Sequence, residues 1–186
     1  MTARPLVLAL PTAVTLARLC AVPVAVWLIL DARFQAALLV FVLAGLSDVL
    51  DGAIARLFNA RTTIGSVLDP LADKALVVGV YVALGWVGLL PAWLVALVVA
   101  RDLMLAAGTL VLRLRLGPVP VVPLGISKLN TALQIGVAGW VLAATGFRWP
   151  GVPGLSAVLN GVVATATVAS GAAYVALWRR GAAPAR

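Results

Sequence analysis

The residues able to do chemistry are gathered in one stretch, "SDVLDGAIARLFNARTTIGSVLDPLADK" at 47–74. It carries Asp48, Asp51, Asp69 and Asp73, four of the six carboxylates in a chain of 186 residues. On a helix turning about 100° per residue, Asp48, Asp51, Gly52, Ala55 and Arg56 fall on one face about 140° wide. On the next helix Gly65, Asp69 and Asp73 line a single stripe at i, i+4 and i+8. The short connection at 59–62 makes the two helices antiparallel neighbours. Counted from that connection, Asp51 and Asp69 lie at matched depth, roughly 10 Å in, at about 1.5 Å per residue. Asp48 and Asp73 match one layer deeper.

Four carboxylates brought together repel one another, and would take up protons unless cations sat among them. An oxygen-only donor set with no His or Cys nearby suits Mg²⁺, Mn²⁺ or Ca²⁺ better than zinc. Two divalent ions balance four negative charges, and paired metals recur in displacements at phosphorus. Gly52 and Ala55, with Gly65 opposite, leave room for a ligand, and the planar fork of Arg56 suits a phosphate. Two other readings stand beside this one. The aspartates could pair with Arg56, Arg61 and Lys74 as structural salt bridges, or bind the ion carried by a cation transporter.

The elements that must position these groups are apolar. Hydrophobic residues make up 63% of the chain and charged residues 11%, with a mean hydropathy of +1.13. A soluble domain is about one-quarter charged. The composition therefore predicts an all-α integral membrane protein, a single membrane domain over 1–186 without a separate soluble part. A span needs roughly 20 apolar residues. Six segments qualify, about 11–30, 34–58, 63–85, 91–112, 128–147 and 156–178. The residues before 11 read as a short membrane-surface segment, because Arg18 and "LARLC" do not fit a cleaved signal peptide. Pro91, "GPVPVVPLG" at 117–125 and "WPGVPG" at 149–154 mark connections.

The charge of +8 is scattered between apolar segments rather than clustered, which argues against nucleic acid as a partner. With six spans, one side holds Arg4, Arg56, Arg61, Arg113, Arg115, Lys128, Arg179, Arg180 and Arg186, and the other only Arg33 and Arg148. The positive-inside rule makes the basic side cytoplasmic. The aspartates then lie between spans two and three, in the cytoplasmic half of the bilayer. With no targeting peptide in view, the expected location is a bacterial inner membrane. The chain has no His, and Cys20 reads as a span residue. Trp86, Trp149 and Trp178 read as interfacial anchors.

The series Asp48-x2-Asp51-Gly52-x2-Ala55-Arg56-x8-Gly65-x3-Asp69-x3-Asp73 resembles, without departure, the signature of the CDP-alcohol phosphotransferase family. The resemblance covers about 11–147. It implies a six-helix membrane enzyme, usually a homodimer, that moves a phosphatidyl or related group from a CDP-linked donor to an alcohol and releases CMP. It implies that Asp48, Asp51, Asp69 and Asp73 bind two divalent cations, Mg or Mn, with Asp73 also the general base. Gly52, Ala55 and Arg56, with Gly65, would hold CDP-diacylglycerol. "PTAVTLARL" at 11–19 is similar to the family's N-terminal Pro-Asn-x-Leu-Thr-x-x-Arg segment. Thr12 replaces Asn and Val14 replaces Leu, while Thr15 and Arg18 are kept, facing nucleotide or phosphate.

"GSVLDPLADK" resembles the glycerophospholipid branch of the family. "ARDLMLAAG" at 100–108 and "ISKLNTALQ" at 126–134 resemble its cardiolipin-forming members rather than those acting on glycerol 3-phosphate. Both acceptors, phosphatidylglycerol and glycerol 3-phosphate, carry a phosphate, for which Arg18, Arg101 and Lys128 are the candidate contacts. Arg101 and Asp102 lie mid-span. They read either as a mutual ion pair or as a phosphate-gripping Arg oriented by its neighbour.

Overall fold

The computed structural model describes the backbone of residues 4–58, 65–116, 124–150 and 154–179, and side chains within 16–47, 74–112, 114, 124–150 and 154–179. Among the described residues there are six helices: α1 (Arg4–Leu30), α2 (Phe34–Phe58), α3 (Gly65–Trp86), α4 (Ala92–Leu116), α5 (Gly125–Gly146) and α6 (Leu155–Arg179). The predicted segments coincide with these to within a few residues, except at the first. α1 runs unbroken from Arg4, through Pro5, Pro11 and Pro23. The separate surface segment expected before residue 11 is therefore the start of the same helix. A proline removes one backbone donor, and in an apolar helix neighbouring groups can make up for that loss.

Three helices end in the same way. Ala32, Gly88 and Arg148 have φ of 57°, 78° and 52°. At each end the following amide reaches back five residues: Arg33 N–H to Leu28 O (2.8 Å), Leu89 N–H to Leu84 O (2.9 Å) and Trp149 N–H to Ala144 O (3.0 Å). This left-handed C-terminal cap satisfies carbonyls that the helix leaves open, and usually calls for glycine. α3 uses Gly88; α1 and α5 use a residue with a side chain.

The chain divides into two compact units, residues 1–89 with 138–150, and residues 90–137 with 151–186. In the first, α1 packs against both α2 and α3. Ala25, Leu28 and Ile29 of α1 bury with Ala37, Phe41 and Ala44 of α2 and with Val80, Tyr81 and Leu84 of α3. The spacing of each set is that of one helical face. Gly79 lets α3 come close to α1, since a Cβ there would stand 3.1 Å from Val22 Cγ1 and 3.4 Å from Val26 Cγ2. The other face of α2 is equally apolar but open: Leu39, Leu43 and Leu46 are 61%, 55% and 54% exposed.

In the second unit α4 packs on α6. Leu94, Val98, Arg101 with Asp102, and Leu105 on α4 are buried at the same intervals as Val163, Thr167, Ser170 with Gly171, and Tyr174 on α6. Trp178, expected as an interfacial anchor, covers Gly108, where a Cβ would overlap its ring. Trp86 fits the anchor reading, at 84% exposed on the last turn of α3. By length and composition α4 (92–112) and α6 (155–179) can cross a membrane. Leu16–Leu30, Phe34–Ser47 and Lys74–Trp86 are shorter apolar runs among the described residues.

Candidate functional site

The acidic stretch is helical wherever its backbone is described. Asp48, Asp51, Gly52, Ala55 and Arg56 lie in the C-terminal half of α2, and Gly65, Asp69 and Asp73 in the first turns of α3. The three- and four-residue spacings thus operate on helices, as their convergence requires. Both helices belong to one unit and share α1 as a packing partner. The side chains of these eight residues, and that of Thr15, lie outside the described residues, as does the 59–62 connection. Among the described side chains there is no group of three or more metal-ligating residues. The donor set in the helical acidic stretch is carboxylate oxygen alone, which fits Mg²⁺ or Mn²⁺.

Arg18 is part of the same unit. It sits on α1, 4% exposed, in a helix that is mostly apolar. A guanidinium held so deep requires compensation from charge or hydrogen bonds.

Arg101 and Asp102 form the centre of the second unit. They are 5% and 8% exposed, and Arg101 Nη1 donates to Asp102 Oδ1 at 2.6 Å. Arg101 Nη2 donates to Ser127 Oγ on α5 (2.7 Å) and to Ser170 Oγ on α6 (2.5 Å). One helical turn from each serine, Thr167 Oγ1 donates to Asn130 Oδ1 (3.0 Å). The backbone N–H of Leu124 donates to the Tyr174 hydroxyl (3.2 Å), tying the start of α5 to α6. A guanidinium with a carboxylate and two hydroxyls around it is fixed in orientation. Arg101 Nε and Asn130 Nδ2 are buried donors without a hydrogen-bond partner among the described residues. A buried donor left unmade is costly, on the order of 1–3 kcal/mol, unless a ligand or water accepts from it.

Of the two sequence readings of Arg101, the mutual ion pair is present in the structure. It orients a guanidinium that still has a donor to give. Lys128 follows Ser127 directly, on the first turn of α5, and is exposed. Sequence reasoning did not single out Ser127, Ser170, Thr167 or Asn130. The available signal was polar residues at three- and four-residue intervals inside apolar segments, which in such helices seek one another.

Comparison with known proteins adds the remaining evidence. A family model described as CDP-alcohol phosphatidyltransferase matches residues 8–177. The chain is 39% identical over 156 residues to a human cardiolipin synthase (CMP-forming), covering 75% of this chain and 52% of that protein. It is 41% identical over 113 residues to a cardiolipin synthase (CMP-forming) of Streptomyces coelicolor, covering 58% and 53%. It is 34% identical over 188 residues to a chloroplastic CDP-diacylglycerol–glycerol-3-phosphate 3-phosphatidyltransferase of Oryza sativa, covering 92% and 57%. The chain spans about half the length of the curated relatives it matches. With the acidic series set on two consecutive helices and the family match running through all six, the chain belongs to the CDP-alcohol phosphatidyltransferase family.

Proposed function

We propose that the protein transfers a phosphatidyl group from CDP-diacylglycerol to phosphatidylglycerol, giving cardiolipin and CMP. The observation that carries this reading is the unbroken aspartate series on α2 and α3 within a chain matched to the family over 8–177. The relatives named as cardiolipin synthases support the acceptor. Glycerol 3-phosphate is the second reading, favoured by the rice relative, whose similarity runs over 92% of this chain.

The residues divide the work as follows. Asp48, Asp51, Asp69 and Asp73 would hold two divalent cations, Mg or Mn, which when bound offset the charge growing on the pyrophosphate. Gly52, Ala55, Arg56, Gly65 and Thr15 would bind the CDP-diacylglycerol head. The acceptor hydroxyl oxygen bonds to the diacylglycerol-bearing phosphorus as the bond from that phosphorus to CMP breaks. Asp73 takes the hydroxyl proton. CMP departs without protonation, so no acid catalyst is needed, which suits a chain lacking His. Arg18, Arg101 and Lys128 are the proposed cations for the acceptor's phosphate. The buried donor left on Arg101 supports its part.

The protein is proposed to span a membrane six times as a homodimer, with the aspartates opening toward the cytoplasm and the bacterial inner membrane as its setting. Apolar side chains on the open face of α2, together with the lengths of α4 and α6, support this. A soluble helix turns such residues inward, and one that is apolar all round needs an apolar surrounding.

Purified protein given labelled CDP-diacylglycerol, Mg²⁺ and each acceptor in turn should release CMP and form cardiolipin with phosphatidylglycerol. Asp73→Asn should lower the rate by about 10²–10⁴-fold, the usual contribution of a positioned base. Product with glycerol 3-phosphate alone would reverse the acceptor. Metal flux that needs no nucleotide would point to a transporter and overturn the class.

A further inference from the structure

The far end of the first unit carries a second basic site that the transfer reaction does not use. The turn between α1 and α2 and the last turn of α5 line a half-open cavity of about 840 Å³, with Arg33, Gln35, Gly146, Phe147 and Arg148 in its lining. Gln35 lies about 24 Å along α2 from Asp51, at about 1.5 Å per residue. The cavity is therefore separate from the acidic stretch.

Four observations single it out. Arg33 and Arg148 are the two basic residues that the predicted topology leaves on the poorly charged side, and both open on this one cavity. Neither has a carboxylate partner among the described residues, and Asp31, nearest in sequence, is not part of the lining.

Arg148 also occupies a left-handed position, φ 52°, where glycine is the favoured residue. Ala32, in the same lining, is left-handed too, at φ 57°. Side chains kept at positions that penalise them cluster at ligand clamps.

The two turns are braced against each other. Gln35 Nε2 donates to Gly146 O at 2.8 Å, and a Cβ on Gly146 would come within 3.0 Å of the Gln35 backbone nitrogen.

Finally, aromatic rings stand beside lining residues. Trp27 and Trp149 are exposed, Arg33 lies 6.0 Å from the centre of the Trp27 ring, and Trp149 stacks on Phe147 with ring centres 5.9 Å apart. Indole rings favour the head-group layer of a bilayer.

We infer that this cavity binds a phosphate-bearing group, gripped by Arg33 and Arg148, whose guanidinium forks match tetrahedral phosphate oxygens. The group is either the phosphodiester of an anionic phospholipid resting among the aromatic rings or free phosphate.

The full chain in neutral detergent, freed of divalent cations, would be titrated with short-chain phosphatidylserine, the matching diacylglycerol, and inorganic phosphate. Bound mass and the shift in unfolding temperature are the readouts. Phosphatidylserine should bind the natural protein at least tenfold more tightly than diacylglycerol. That preference should disappear in Arg33→Gln/Arg148→Gly, while CMP release stays at the natural rate.

Arg148→Gly guards against simple misfolding, because glycine suits the left-handed position and should leave the unfolding temperature equal or higher. Phosphate displacing phosphatidylserine, and binding alone with the same arginine dependence, identifies the free ion as the occupant. Phosphate without effect identifies the lipid. Equal binding of phosphatidylserine and diacylglycerol, or unchanged binding in the well-folded double variant, would overturn the site.

Discussion

Arg101 shows what a single side chain carries in this molecule. Its two terminal nitrogens are held by Asp102, Ser127 and Ser170, groups from all three helices of the second unit. Lysine keeps the charge but has no fork, so it cannot satisfy these three acceptors from their fixed directions. Arg101→Lys should therefore raise the KM for the acceptor more than tenfold while kcat falls less. Ser170→Ala removes only one of the three and should give a smaller change in the same direction. The comparison separates orientation from mere charge. If Arg101→Lys and the natural protein share one KM, the guanidinium is only a strut, and the acceptor's phosphate rests elsewhere.

At the scale of helices, most of the architecture was legible in the sequence, because apolar runs of membrane length punctuated by Pro and Gly leave few alternatives. That the acidic series lies on two helices was legible for the same reason, since Asp is rare in such runs and three- and four-residue spacing is helical spacing. What could not be read was which polar residues meet. Ser127 and Ser170 stand 26 and 69 residues from Arg101, and nothing local to either marks the other. The continuity of α1 through Pro11 was also hidden, because water-phase rules treat that proline as a boundary. The close approach of α1 and α3 at Gly79 was equally silent in the sequence, yet it is testable. The β-branched Val22 and Val26 are stiff about χ1 and have little freedom to retreat from a new Cβ. Gly79→Leu should destabilise the first unit by about 1–3 kcal/mol, the usual range for overpacking, with Gly79→Ala milder. Thermal unfolding in detergent measures it. Because α3 also carries Asp69 and Asp73, CMP release should decline along with stability. A Gly79→Leu protein of natural stability would mean that α1 and α3 are not pressed together at this point.

For the molecule as a whole, the decisive question is how a chain this apolar keeps its charges. Arg18, Lys74 and Arg101 fall well inside the predicted spans, while nine of the other eleven cations, Arg56 and Lys128 at span ends among them, fall on one predicted side. An aspartate near a span's centre costs about 2.5–3.5 kcal/mol on insertion scales. On the proposed reading, the four in adjacent spans would survive by opening toward water and bound cations. In the proposed topology the basic side is also the side of the 59–62 connection, so an arrangement that obeys the positive-inside rule would also open the acidic stretch to a water-soluble product such as CMP. Topology and chemistry thus stand or fall together. Single cysteines placed in a Cys20→Ser background can decide between them. A membrane-impermeant maleimide added to right-side-out vesicles should label Ala32→Cys and Trp149→Cys, and should reach Thr62→Cys and Pro118→Cys only once the vesicles are opened. Labelling of Ala32→Cys and Thr62→Cys from one side would remove the second span, and with it the proposed route by which α2 and α3 would bring their aspartates to the cytoplasmic face.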